Sequence, residues 1–194
     1  MLTIKKYWHA FRRLISRNSM TPKMIVGYKR FDKKFLPTTR ISNTTFIDHQ
    51  EHFNIEDNVY IGHYNFLEAS QGLTIKEGVQ ITNFCNISTH SSHIAIRLYG
   101  KHYCDYINHI GYIKGPIHIG AYSFIGPHST IMPNTTIGKG SIVKAYSYVR
   151  GEFPDFSIIG GNPAIVIGST KDIDNKYLEN NQELATFYTE WAKK

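Results

Sequence analysis

The sequence predicts an all-β fold, a parallel β-helix wound from six-residue segments, and three observations predict it. Aliphatic residues recur at every sixth position through Ile119, Ile125, Ile131, Ile137, Val143 and Val149, without a miss. A column of small hydroxylic residues keeps the same period at Ser123, Ser129, Thr135, Ser141 and Ser147. Glycine follows the aliphatic residue at Gly120, Gly126 and Gly138. A period of six fits neither the 3.6 of a helix nor the 2 of an ordinary strand. It fits a chain that makes one short strand and one corner per hexad. The aliphatic side chains then point inward and stack coil upon coil, while the small residues and glycines fit the tight space at the corners.

Taken in order, the chain begins with a basic arm, residues 1–40. Ile4, Trp8, Phe11 and Ile15 fall on one helical face, with Leu14 beside them. Lys5, Lys6, Arg12, Arg13 and Arg17 occupy the rest of that segment. Two roles are open to this predicted helix: lying on an anionic membrane surface, or packing against the end of the β-helix with its basic face in water. Thr21-Pro22 ends it. An apolar and basic stretch from Met24 to Leu36 then reads as strand and loop before Pro37.

The β-helix domain is expected over 41–168. Hexads start at Ile41 and Ile47 and continue through Ile55, Ile61 and Leu67. A two-residue slip restarts them at Ile75, Ile81 and Ile87, as an enlarged corner or a bulge would. The column breaks at His90. An excursion over 91–114 carries many aromatic and polar groups, and the ladder resumes at Ile117. Long loops in compact folds tend to carry function. Phe153-Pro154-Asp155 leaves the ladder, and Gly160-Gly161-Asn162-Pro163-Ala164 forms a turn-rich closure. Residues 169–194 are expected to hold a C-terminal helix. Asn180 and Glu183 resemble a capping box. The stripe Leu184, Phe187, Tyr188 and Trp191 suits a lid over the open end of the core.

Composition narrows the function classes. The formal charge of +7 is concentrated in the arm: residues 1–40 hold eleven Lys or Arg against one acid, Asp32. The remainder has eleven bases and fourteen acids, so basicity describes the arm alone. No base-reading motif accompanies it, and nucleic acid is not an expected partner. No apolar run approaches the ~20 residues of a membrane span. Arg12 and Arg13 interrupt the one candidate signal segment. Two cysteines, Cys85 and Cys104, make no disulfide framework, and a cytoplasmic location is expected.

Three stretches carry a family resemblance: Ile81-Thr82-Asn83-Phe84-Cys85-Asn86-Ile87-Ser88-Thr89-His90; Ile119-Gly120-Ala121-Tyr122-Ser123-Phe124-Ile125-Gly126; and Gly161-Asn162-Pro163-Ala164. Over roughly residues 45–168 the chain resembles the hexapeptide-repeat acyltransferases, most nearly the maltose-, galactoside- and surface-polysaccharide-type sugar O-acetyltransferases. The resemblance implies a left-handed β-helix, a homotrimer with active sites between subunits, and acetyl-CoA as donor. It implies that His90, after the last hexad before the excursion, is the catalytic base, with His93 as nearest rival. An imidazole suits that task near neutral pH. No carboxylate partner for it emerges from the sequence.

The same resemblance places Phe124 near the thioester, Ala145 beside the pantetheine arm, and Lys144, Arg150 and Lys171 as cationic candidates for the phosphates. Pro127 stands where relatives often have a free N–H for the oxyanion and cannot donate, leaving the Gly126 amide, or a group from elsewhere, as the candidate. Gly151 and Ile165 replace basic residues frequent in the family. Asn65, Glu68, His93 and Arg97 are the candidates for binding a sugar or polysaccharide acceptor. N-acetylation of a nucleotide-linked amino sugar and a non-catalytic scaffold are the alternative readings. His102, Cys104, Asp105 and His109 raise a metal site, but satisfied loop residues explain them, and no metal is expected. Gly138-Lys139-Gly140-Ser141 lacks the earlier glycine of a phosphate loop and is explained by the hexads.

Overall fold

The structure is a computed structural model, and it describes residues 21–193. The predicted N-terminal helix therefore lies outside the described residues. From residue 40 onward the chain winds into a three-faced parallel coil. The first face contains Tyr60–Ile61, Gln80–Ile81, Phe124–Ile125 and Ile142–Val143. The second contains Phe46–Asp48, Phe66–Glu68, Asn86–Ser88, Thr130–Ile131 and Tyr148–Val149. The third contains Phe53–Ile55, Leu73–Ile75, Ile117–Ile119, Thr135–Ile137 and Glu152–Phe153. This is the hexapeptide β-helix, and its repeats imply the left hand.

The six-residue column supplies the core. Ile119, Ile125, Ile131, Val143 and Val149 are fully buried, and Ile137 is 1% exposed. Each succeeds its predecessor on the next face, so every sixth side chain meets the same central axis. Burying one such side chain is worth about 1.5–3 kcal/mol, and stacking repeats the gain coil after coil. The hydroxylic column satisfies corner backbone. Ser123 Oγ donates to Gly138 O at 3.0 Å and accepts from Ser141 N at 3.2 Å; Ser141 Oγ in turn accepts from Ser157 N at 3.1 Å. Gly126 answers a close approach, since a Cβ there would sit 2.6 Å from Ala145 N.

The predicted slip is an enlarged corner. Phe124 pairs with Ile142, eighteen residues on, whereas Tyr60 pairs with Gln80 and Phe66 with Asn86, twenty on. The extra residues lie between the second and third faces, at Gln50–His52 and again at 69–72. The excursion leaves from the same edge in the next coil. Its neck is an antiparallel pair, His90 opposite Lys114 and Ser91 opposite Ile113. Beyond the neck lie helix α1 (Ala95–Tyr99) and a 3-10 turn, Gly100–Asp105.

Antiparallel hairpins close both ends of the first face. Met24–Lys29 pairs with Phe35–Ser42, and Ser157–Gly161 with Ala164–Ser169. The C-terminal region differs from expectation in three ways. It holds two helices, α2 (Thr170–Leu178) and α3 (Gln182–Ala192). Asn181 occupies the cap of α3 without a side-chain cap bond, its amide donating instead to Tyr177 O at 2.7 Å, so the capping box is absent. Nor does α3 cover the end of the core. It lies along the edge between the third and first faces, where Trp191 meets Tyr122 at 4.7 Å and Phe156 at 5.8 Å. Lys139 Nζ donates to Ala192 O at 2.9 Å. The apolar stripe is partly left open: Leu184 and Phe187 are 47% and 54% exposed.

Candidate active site

The edge between the second and third faces gathers the chemistry. Strand Phe66–Glu68 points Leu67 into the core, so the following side chain turns into the corner. The enlarged corner folds back around it. Glu68 Oε1 accepts from Ser70 N at 2.6 Å, and Oε2 accepts from Thr89 N at 2.9 Å and Thr89 Oγ1 at 2.6 Å. Burial pushes this carboxyl up, but the hydrogen bonds from Ser70 and Thr89 outweigh it and bring it down to about 2. Glu68 is thus a buried, ionised carboxylate.

His90 leaves the coil immediately above. Its Nδ1 stands 2.9 Å from Glu68 Oε2, with side-chain exposures of 36% for His90 and 3% for Glu68. Ser70 Oγ lies 3.4 Å from the same nitrogen. An anion beside Nδ1 favours the proton there, which leaves Nε2 with its lone pair. A ring in that tautomer can accept a proton and, once cationic, is stabilised by the carboxylate behind it. Tyr112 lies against the imidazole, ring centroids 5.7 Å apart and planes within 10°. Burial raises the Tyr112 hydroxyl, with smaller contributions from Tyr103 and Glu68.

Glu68 therefore faces His90 and not solvent, which corrects its expected role in acceptor binding: three donors and the imidazole surround its carboxylate. Asn65 is also corrected. It is 2% exposed on the edge between the first and second faces, where Oδ1 accepts from Cys85 N and Nδ2 donates to Thr82 O, both at 2.7 Å. The Gly126 amide donates to Val143 O at 2.8 Å within the ladder, so the expected oxyanion donor is already engaged. His93 is exposed at the neck, its Nδ1 2.8 Å from Ser91 Oγ, and its carbonyl accepts from Arg97 Nη1 at 2.7 Å. Arg97, on α1, is exposed as well. His93 and Arg97 are the acceptor candidates on His90's side of the molecule.

The expected donor residues divide between two edges. Phe124, 38% exposed on the first face, leads to the edge that also holds Gly126, Lys144 and Ala145. Arg150 instead shares the edge of His90. Asn86, Thr130 and Tyr148 are aligned through three successive coils, which sets Arg150 two coils beyond the corner where His90 departs. Lys144, Ala145 and Arg150 are all exposed. Lys171 does not join either group; its Nζ lies 4.5 Å over the Phe156 ring beside α2.

An aromatic ladder along the edge between the first and second faces went unforeseen. Tyr64, Phe84, His128 and Tyr146 stack in series at 5.2, 5.0 and 4.8 Å. Each adopts a left-handed backbone, φ 58 to 60°. The signal was available: each directly precedes a corner residue, Asn65, Cys85, Ser129 or Ser147. In the excursion, His102 Nδ1 pairs with Asp105 at 2.9 Å and His109 stacks on Tyr103 at 4.0 Å. Among the described residues, no group of three or more His, Cys, Asp or Glu side chains is placed to hold a metal ion.

The repeats and the corner geometry define a hexapeptide-repeat β-helix. Residues 116–151 match the bacterial transferase hexapeptide (six repeats) family, in agreement with the resemblance read from the sequence. A probable acetyltransferase of Mycobacterium tuberculosis is 28% identical over 129 residues, covering 61% of this chain and 38% of the relative. The chain thus spans less than half the length of that relative. Among solved structures, a maltose O-acetyltransferase from Clostridium difficile 630 aligns at TM-score 0.55 and 21% identity, covering 64% of this chain and 63% of that one. AntD, an N-acyltransferase from Bacillus cereus in complex with dTDP and 3-hydroxybutyryl-CoA, aligns at 0.53 and 19%, covering 75% and 89%. At these identities the structural likeness establishes the fold.

Proposed function

We propose that the protein is an acetyl-CoA-dependent O-acetyltransferase in which His90 is the general base and a sugar hydroxyl the acceptor. The observation that carries this is the contact of His90 Nδ1 with the buried Glu68 carboxylate at 2.9 Å, on a half-exposed imidazole at the mouth of an excursion. In the reaction, His90 Nε2 takes the hydroxyl proton as the acceptor oxygen attacks the thioester carbonyl. The carbon–sulfur bond then breaks, and the imidazolium returns the proton to the departing thiolate. The products are an acetyl ester and CoA. Glu68 offsets the positive charge on the ring throughout, and general-base assistance of this kind is worth about 10²–10⁴-fold.

The division of the donor residues supports assembly as a homotrimer. Phe124, Lys144 and Ala145 lie across the second face from His90, so a neighbouring copy is the natural source of the donor-binding edge at each His90. His93 and Arg97 stand on the acceptor side, and Arg150 lies on the same edge as His90, two coils further along. The acceptor is assigned to a bacterial surface polysaccharide, its precursor or a lipid-linked intermediate, made on the cytoplasmic side, with the basic arm meeting anionic lipid. No described helix is long and apolar enough to cross a membrane.

Thiol release from acetyl-CoA against a panel of sugars tests the reading. Wild type should release CoA with neutral sugars, and His90→Ala should lose at least about 10²-fold while CoA binding persists by calorimetry. Reaction confined to amino sugars would replace O- by N-acetylation. Release from no acceptor would leave a scaffold.

A further inference from the structure

We infer that Tyr112 is a positioning residue for His90, its ring holding the imidazole in the plane that keeps Nδ1 on Glu68 and Nε2 facing outward. The inference rests on the reading of His90 as base. A histidine ring turns about its Cβ–Cγ bond in broad wells, so one polar contact does not fix it. Glu68 and Ser70 hold one edge of the ring, at Nδ1. The parallel Tyr112 ring, 5.7 Å away with planes within 10°, limits swing out of that plane. The two restraints act at right angles, and together they leave Nε2 as the nitrogen open to an acceptor.

The excursion holds Tyr112 through the neck and through neighbouring rings. It sits two residues before Lys114, which pairs with His90 itself in the neck. Behind it, His109 lies 6.3 Å from Tyr112 and stacks on Tyr103 at 4.0 Å. Tyr99 meets His109 edge-on at 5.0 Å, and its hydroxyl accepts from Ile110 N at 3.0 Å. His109 Nε2–H donates to Tyr103 O at 2.7 Å. A run of ring contacts thus joins Tyr112 to His109, Tyr103 and Tyr99, although the surrounding tip is open, with Ile107 96% exposed. The electron-rich face of Tyr112 also favours the imidazolium that forms when His90 takes a proton.

The test compares Tyr112→Phe and Tyr112→Leu with wild type by two readouts. The first is the ring ¹⁵N spectrum of His90 in the full protein without substrate, which reports the Nδ1-protonated tautomer. The second is kcat and the KM for acetyl-CoA. Tyr112→Phe keeps a flat ring and should match wild type in both. Tyr112→Leu should mix the tautomer signals and lower kcat about 10-fold, with KM changed less than about 2-fold, because misplacement of a catalytic group costs turnover first. Should the Leu protein melt below the assay temperature, Tyr112→Met gives the same comparison. A Leu or Met variant with wild-type ring signals and kcat would overturn the inference, as would a Phe variant as impaired as Leu. If wild type itself releases no thiol, the base role falls, while the ring spectra still decide whether Tyr112 holds His90.

Discussion

Replacing Glu68 by Gln tests the electrostatic design of the site without changing its shape. The carboxyl accepts three hydrogen bonds, is 3% exposed, and sits at about 2 against an ordinary value of 4.5. A difference of that size corresponds to about 3 kcal/mol of preference for the ionised form in the folded protein. The folded value is depressed, so this stability is present above the unfolded value near 4.5 and is lost as pH falls toward about 2. In E68Q a carbonyl can replace Oε2 toward Thr89, but the amide nitrogen then faces Ser70 N–H, donor against donor. Near pH 7 the variant should be about 3 kcal/mol less stable, and the gap should close on acidification from pH 5 to pH 2 as wild type loses the same contribution. Urea unfolding at fixed protein concentration, repeated across that range, measures it. Parallel loss of stability in the two proteins would refute the reasoning. So would an E68Q protein as stable as wild type at pH 7.

Other consequences are as direct. Phe84 stands at φ 59°, so Phe84→Ala and Phe84→Gly lose the same stacking but differ in backbone freedom; Gly should be the more stable by about 1 kcal/mol in thermal melts, and equal melting would remove the claim of strain at this corner. If each site takes His90 from one copy and the donor edge from the next, His90→Ala and Ala145→Trp proteins should each be inactive alone and recover thiol release when refolded together. No recovery would place both halves in one subunit. Removing residues 1–20 should reduce cosedimentation with phosphatidylserine vesicles, and unchanged sedimentation would favour a packing role for the basic arm.

The β-helix was legible because its period is written in side chains that share one axis. Ile119 to Val149 need no tertiary knowledge to be read as a stack, since chance does not repeat a six-residue spacing so often. His90 was singled out as a candidate for a related reason: it stands where the period stops. Glu68 and Asn65 show where such reading ends. Both are polar residues at corners, and polarity alone does not separate a group open to ligand from one enclosed by backbone. Asn65 fills the place taken by serine in later coils and bonds the same kind of corner amides. Glu68 lies twenty-two residues before His90, and only the pairing of Leu67 with Ile87 brings the two together. The enlarged corners hide that alignment by shifting the count by two in each early coil. The C-terminal stripe misled differently, because an apolar face on α3 identifies a helix that packs without saying on which surface.

Every departure from the eighteen-residue coil falls on one edge, and this concentrates the chemistry there. An insertion at a corner lies outside the stacked core, so it does not disturb rungs such as Leu67, Ile87 and Ile131 that run beneath it. The chain can therefore vary that edge at little cost to the coil, as loops on rigid scaffolds commonly do. The same enlargement that lets residues 69–72 fold back gives Glu68 its Ser70 donor and places Ser70 Oγ beside His90. One coil later the excursion returns Tyr112 to the ring. A carboxylate held ionised by its own corner, an imidazole rising from the next coil and an aromatic ring lowered onto it all follow from adding residues at one edge. At the edge between the first and second faces, where coils carry no such insertion, Tyr64, Phe84, His128 and Tyr146 stack on one another beside Ala145. Under the proposed function, the regular edge would take the long, extended donor and the enlarged one the base and its acceptor.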